Sequence, residues 1–419
     1  MRERHESMLG KGDNQAIREV NRSIILDLVR RAGRVSRTEL ARRSKLTKPT
    51  VSTIIDEFID DGTVREVGLG ESLSGGGRPA RLLEFNDASA AYLGIHFGVR
   101  ATRVAVADAR GIIRVVRGRP SLRNAAARAS KVVRSAVTEA LQAAKIPWAR
   151  VAAAGATVPG LVDQETGVCV LAPNLAWQDV PLRESLQDEL RVPVVVNNIT
   201  QASAVAEGRV GAARGVRSYV WLYVGSGVGA GLVIAGRLFH GQSGFSGEIG
   251  HCPVSEDGPP CGCGRRGCLE TVASTMALLR AAEDAIAGKQ ATRLQRVEGK
   301  LDVAALATAA SEGDAVAKRI LAQGSEHLGR GISFLLNILN PEMIVLGGPV
   351  IDAGEPFLHD VRASVARHAL LPRGVAIVPS TLGDRAELTG SVLLAMEKTV
   401  RSYRIVGSHD VRARSATEL

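Results

Sequence analysis

The sequence predicts an α/β chain of two parts: a small helical unit closed by a β-hairpin, then a larger body of two similar lobes about a cleft. Two observations predict it. Residues 14–87 show helical apolar spacing three times and then strand spacing on either side of a glycine-rich run. From residue 88 onward, an order of strand, turn, strand, turn, strand occurs twice, each time leading into helices and short apolar strands. The 419 residues are 45% hydrophobic and 23% charged, which suits a globular chain with room for several domains.

The first helix is expected from about residue 14 to 31, with Ile17, Val20, Ile24, Ile25 and Leu28 at its apolar spacing. Residues 1–13 are expected to form a flexible tail. Ser36-Arg37-Thr38-Glu39 reads as a capping box, in which serine hydroxyl and glutamate carboxylate satisfy free amides at a helix start. That second helix ends near Ser44. A third opens on Thr47, tolerates Pro49 in its first turn, buries Val51, Ile54, Ile55, Phe58 and Ile59, and stops at Gly62. Two short strands follow, around 64–67 and 80–85, joined by GLGESLSGGGRP. Three helices, the last two joined by a tight turn and followed by a hairpin, describe a winged helix-turn-helix.

Charge points to its partner. Residues 30–48 hold eight basic side chains against Glu39 alone, a local charge of 8 − 1 = +7. The acids of the third helix sit toward its C-terminal end, so its lysine- and threonine-rich start suits the major groove of duplex DNA. The expected contacts are Arg37, Lys45, Lys48, Thr50, Ser52 and Thr53, with Arg78 on the wing reaching the minor groove or a phosphate. A solvated basic face on a protein-binding module is the alternative. Aromatics are only 3%, too few for a base-stacking platform on single strands.

The body repeats itself. Residues 91–99, 102–108 and 112–117 read as three strands about Gly-containing turns, and 219–224, 232–235 and 237–240 read the same way around GSGVGAG (225–231). Further strands are expected at 151–158, 192–196 and 343–346, with long helices at 314–339 and 385–400. The expected division is 88–210 for the first lobe, 211–380 for the second, 381–400 for a C-terminal helix and 401–419 for a flexible tail. Residues 218–236 are uncharged and long enough for a membrane span, but five glycines make them two buried strands about a turn. The first residues, MRERHESMLGKGD, hold no apolar stretch of a secretory leader, and a cytoplasmic location is expected.

Four of the five cysteines lie between 252 and 268, a clustering that reads as a metal site and not as a disulfide framework. His251, Cys261, Cys263 and Cys268 supply an imidazole and three thiolates, the complement of a closed tetrahedral Zn²⁺ site. With every position filled by protein the zinc is expected to be structural. Cys169 and Cys252 read as ordinary small residues.

The motifs ATVPGLVD (156–163), APNLAWQDVPL (172–182), GSGVGAG (225–231), GEIGH (247–251), CGCGRRGCLE (261–270) and IVLGGPV (344–350), in this order, resemble the ROK family of repressors and sugar kinases. The resemblance covers essentially the whole chain. It implies two actin-like, ribonuclease H-like lobes, and a winged helix in front is the arrangement of the family's sugar-responsive repressors. It also implies that Asn174, Asn198, Glu248, His251 and Glu270 hydrogen-bond sugar hydroxyls in a pocket lined by Pro159 and Gly160. Amides and carboxylates suit a polyol because they donate and accept in fixed pairs. A metal on one His251 nitrogen leaves the other to face the ligand.

What is missing narrows the function. Transfer of a phosphoryl group to a sugar hydroxyl needs a carboxylate to take the proton. The family's kinases carry an Asp in the segment matching VNNITQASAVAE (196–207); ungapped alignment puts Ile199 there, a one-residue slip Asn198, and residues 192–206 contain no carboxylate. Where those kinases show an Asp and then Gly-Gly-Thr, this chain has Ile95-His96-Phe97-Gly98-Val99-Arg100. The expectation is therefore a sugar-responsive DNA-binding regulator, most simply a repressor, that is not an enzyme. It would form a homodimer or a tetramer on a duplex operator and have no membrane partner. A sugar kinase that also binds DNA, and a regulator with a vestigial pocket, are the competing readings.

Overall fold

The computed structural model describes residues 3–69, 80–297, 299, 301–370 and 374–401. The first helix, α1 (Glu3–Ala32), starts well before residue 14. Residues 3–13 hold no proline to break the helix. Its contact line also differs from expectation. Ile25 and Val29 are buried, while Ile17, Val20 and Ile24 face solvent. The helix is turned so that Arg22 stacks on the Phe58 ring and, with Arg18, meets Glu57.

The short strand β1 (Arg34–Ser36) precedes α2 (Arg37–Ser44), and α3 (Lys48–Asp60), β2 (Val64–Leu69) and β3 (Arg81–Phe85) complete the head. The three strands order as β1-β3-β2. Ser36 caps α2 as expected by accepting the Glu39 amide at 3.2 Å. The reciprocal half of the capping box is not made: the Glu39 carboxylate turns to Arg42 and Arg43 at 2.6–2.8 Å. Charge-assisted bonds to two arginines outweigh one bond to a backbone amide.

The first lobe opens with β4 (Ala91–Phe97), β5 (Ala101–Asp108) and β6 (Ile113–Pro120), followed by α4 (Ala129–Ala144) and β7 (Val151–Val158). A small antiparallel sheet, β8 (Leu161–Val162), β9 (Cys169–Ala172) and β10 (Trp177–Val180), precedes α5 (Leu182–Leu190), β11 (Val194–Asn198) and α6 (Ile199–Val210). The second lobe holds β12 (Tyr219–Val224), β13 (Val228–Ile234), β14 (Arg237–Phe239), α7 (Leu269–Ala273), α8 (Thr275–Ala287), α9 (Val303–Ser311) and α10 (Ala315–Leu339). It ends with β15 (Met343–Gly347), α11 (Gly354–His368), β16 (Ala376–Pro379) and α12 (Ala386–Arg401).

The two main sheets order as β6-β5-β4-β7-β11 and β14-β13-β12-β15-β16. These are the same topology, three antiparallel strands extended by two parallel ones, so the repeat in the sequence is a repeat in space. The uncharged stretch is the β12–β13 pair, and no described helix is long and apolar enough to cross a membrane. GSGVGAG differs from expectation, because only Gly225–Gly227 form the turn and Val228 onward is strand. Last in sequence, α12 crosses back to the first lobe, where Val392 and Ala395 pack with Tyr92, Ala107 and Ala153.

Candidate functional site

At the start of α3, Thr47 Oγ1 accepts the Thr50 amide at 3.3 Å and lies 2.8 Å from the Thr50 hydroxyl, while Thr53 donates to the Pro49 carbonyl at 3.1 Å. The cap leaves Lys45, Lys48 and Thr53 exposed, with Thr50 and Ser52 half-buried beside them. Neither lysine forms an ion pair among the described residues. Arg37 is placed differently. Its guanidinium reaches Asp56 at 2.7 Å and the Ser52 carbonyl at 3.3 Å, bracing α2 against α3. The bond to Arg37 draws the Asp56 carboxyl below its ordinary range. Arg78 lies outside the described residues.

In the cleft, the Pro159–Gly160 turn joins β7 to β8. A Cβ on Gly160 would lie 2.7 Å from that of Ala172, so only glycine lets β9 approach. Asn198 Nδ2 donates to the Gly160 carbonyl at 2.8 Å, and its Oδ1 accepts the Thr200 amide at 2.7 Å. Asn198 thereby holds the turn and caps α6, with one Nδ2 hydrogen left over. Thr200 Oγ1 is 2.6 Å from Asn198 Oδ1 and 3.1 Å from the Ala230 carbonyl, sharing one proton between the lobes. Asn174 is exposed on a short turn after β9.

Facing that wall, Gly247 backs onto Ala230, and Glu248 heads the single 3₁₀ turn Ile249–His251. The turn puts Glu248 and His251 side by side, as their spacing predicts: His251 Nε2 is 3.9 Å from Glu248 Oε2. The other nitrogen, Nδ1, is 3.5 Å from Glu270 Oε1 and 3.5 Å from Cys261 Sγ. Burial, with Glu270 adding to it, raises the Glu248 carboxyl above its ordinary range against the opposing pull of His251.

One ligand atom each from His251, Cys261, Cys263 and Cys268 lies within 4.8 Å of the others. Cys263 Sγ and Cys268 Sγ are 3.7 Å apart. Tetrahedral bonds of about 2.3 Å give sulfur–sulfur edges of about 3.8 Å, so the donors fit one closed metal ion. Cys169 is buried and Cys252 half-buried, both outside the cluster.

Tyr223 and Arg103, on the far side of the cleft, escaped the sequence reading of the site, which marked His96 there only as a departure from the kinase pattern. The Tyr223 ring lies between the two glycine loops: a Cβ on Gly348 would be 2.9 Å from the ring, and one on Gly225 would strike the hydroxyl. His96 is buried, its Nδ1 3.2 Å from Thr157 Oγ1, and burial lowers its pKa to about 3. Arg103 spans to Asp384 and Glu387 at 3.4 Å each. Gly229 and Gly231 give α6 room against β13, since a Cβ on Gly229 would be 3.1 Å from Thr200 Cγ2. An aromatic residue one short of the end of β12, two before a glycine turn, is the signal that marks Tyr223.

The profile of the ROK family matches residues 92–398, and that of a winged helix-turn-helix DNA-binding domain matches residues 21–65. A xylose repressor from Caldicellulosiruptor bescii is 30% identical over 92% of this chain and 97% of its own length. A glucokinase from Halalkalibacterium halodurans is 36% identical over 58% of this chain and 76% of its own. Among solved structures, a ROK family transcriptional regulator, described as a homologue of the E. coli MLC protein, superposes with a TM-score of 0.79. It has 27% identity, over 93% of this chain and 98% of that one.

Proposed function

The chain belongs to the ROK family, and within it we propose a DNA-binding transcriptional repressor that senses a sugar in a kinase-like cleft without phosphorylating it. One observation carries the reading: a DNA-type helix with open lysines and a polyol-type cleft with no carboxylate at the kinases' base position occur in one chain. Ile199 or, with a one-residue slip, Asn198 matches the position where the kinases hold their carboxylate; both are buried at the start of α6. Tyr223 and His96 occupy the side where glycine loops would receive phosphates.

Residues 14–87 act as the DNA-reading unit, 88–210 and 211–380 as the lobes, and 381–400 as the closing helix. The chain works in the cytoplasm as a homodimer, or a pair of dimers, on a duplex operator. Lys45, Lys48, Thr50, Ser52 and Thr53 face the groove, with Arg37 holding α3 for them. Glu248, Glu270 and the metal-free nitrogen of His251 take the sugar hydroxyls, and Asn174 with Pro159 and Gly160 closes the opposite wall. Zn²⁺ on His251, Cys261, Cys263 and Cys268 would orient His251, and it supplies no chemistry beyond that. The names of the relatives make D-xylose and D-glucose the first sugars to try.

Two measurements on the purified chain test this. Thermal unfolding with either sugar at about 100 times its Kd should gain about 2.7 kcal/mol of stability. Incubation with Mg·ATP and the same sugar should leave the sugar unphosphorylated. Turnover at ordinary kinase rates, about 1 per second or more, would replace the repressor reading with the kinase one.

A further inference from the structure

The DNA-reading head and the first lobe share a joint. The turn from β5 to β6 leaves the lobe and enters the head, where Ala109 is buried in one cluster with Ile25, Val29 and Phe85. The Ala109 amide donates to the Asp87 carbonyl at 3.1 Å. Beside it, Arg110 pairs with the Asp87 carboxylate and donates to the Arg30 carbonyl at 3.2 Å. Both guanidiniums lie on the Phe85 ring, Arg30 at 4.7 Å and Arg110 at 5.6 Å from its centroid. Arg30 Nε is buried at this joint.

The other side of the same turn rests on α12. Gly111 has φ +84°, and a Cβ there would lie 2.8 Å from Met396 Sδ. Toward its other end α12 reaches the cleft: Glu387 and Asp384 just before it meet Arg103, and Ser391 Oγ would be 2.7 Å from a Cβ on Gly94. Gly390 sits directly on the Ala202 carbonyl of α6, whose first turn carries Asn198 and touches Ala230 of the second lobe through Thr200. The helix has 16 residues, about 24 Å at 1.5 Å per residue, enough to run from the cleft to the joint. Backbone-to-backbone contacts at glycines have no flexible side chain to absorb a shift, so movement of α6 is passed to α12.

We propose that α12 carries movement of the lobes to the head through the Ala109–Gly111 turn, with Arg110 and Met396 as the positioning residues. The inference rests on the repressor reading and says how its two ends communicate. The test compares wild type with Arg110→Ala and Asp87→Asn, measuring sugar binding by thermal shift and duplex binding by fluorescence anisotropy. The duplex is selected by the wild-type chain from a random pool, and the sugars are D-xylose and D-glucose. Wild type should lose about tenfold in DNA affinity when sugar saturates. The variants should bind sugar and unliganded DNA within about threefold of wild type, yet lose less than about threefold in DNA affinity on sugar addition. Full release by both variants overturns the proposal; a wild type that binds duplex but ignores both sugars overturns the repressor reading instead.

A second readout needs no sugar. In Met396→Leu, whose substitution lies on the core side of the turn, amide exchange in the last turn of α1 and in β3 should quicken relative to wild type. Unchanged exchange there, with the fold intact, also overturns the proposal.

Discussion

His96 shows what burial does to a titrating side chain. Its pKa falls from 6.5 to about 3 because water is excluded and Arg103 stands nearby. A depressed histidine contributes full stability above its unfolded pKa and loses it as pH falls toward the folded value. Between pH 6.5 and 5 the unfolded chain takes up a proton the folded chain refuses, at about 1.4 kcal/mol per pH unit. Stability should therefore fall across that window, and thermal melts of His96→Gln should show a shallower fall than wild type. A variant with an unchanged slope would place the proton uptake elsewhere. Glu248 belongs to the same scale: Glu248→Ala should bind operator as wild type does while losing the thermal shift on sugar addition. The gathering of His251, Cys261, Cys263 and Cys268 could be read from residue type and spacing alone. Asn198 and Arg37 could not, because which bonds an amide or guanidinium makes depends on neighbours far away in sequence: Gly160, Asp56 and Ser52.

Helix ends and glycines decide how far an element could be foreseen. Thr47 and Ser36 cap the helices at the positions the sequence marks, since capping chemistry is local. β1 went unforeseen because three residues carry no periodicity. GSGVGAG reads as a turn because glycine is a turn residue, yet Gly229 and Gly231 are strand positions where α6 comes close. The exposed stripe of Ile17, Val20 and Ile24 has the same origin: helical spacing does not say which face two arginines will claim. Two expectations belong here. Lys48→Ala, at the exposed start of α3, should weaken duplex binding and make the slope of log K against log salt shallower by about 1. Cys268→Ser should abolish zinc retention by elemental analysis and destabilise the chain by about 2 kcal/mol or more, since that sulfur is buried in the cluster. Retention of one equivalent of zinc in that variant would contradict the ligand set.

Across the whole molecule the repeat of two sheets was open to reading because strand order follows from local turns. The return of α12 to the first lobe was not, since crossing from one half to the other leaves no local pattern in the sequence. That return matters, because it sets the last helix against Arg103 near one end and against the Gly111 turn near the other. Under the repressor reading proposed above, a sugar would shift the equilibrium between lobe arrangements and alter the spacing of two heads in a dimer, with no bond made or broken. The most direct test is the affinity of the chain for its selected duplex during a sugar titration carried out without any nucleotide. A fall of about tenfold or more with D-xylose or D-glucose is expected; an affinity that moves only after ATP is added, or under neither condition, would contradict sensing without chemistry.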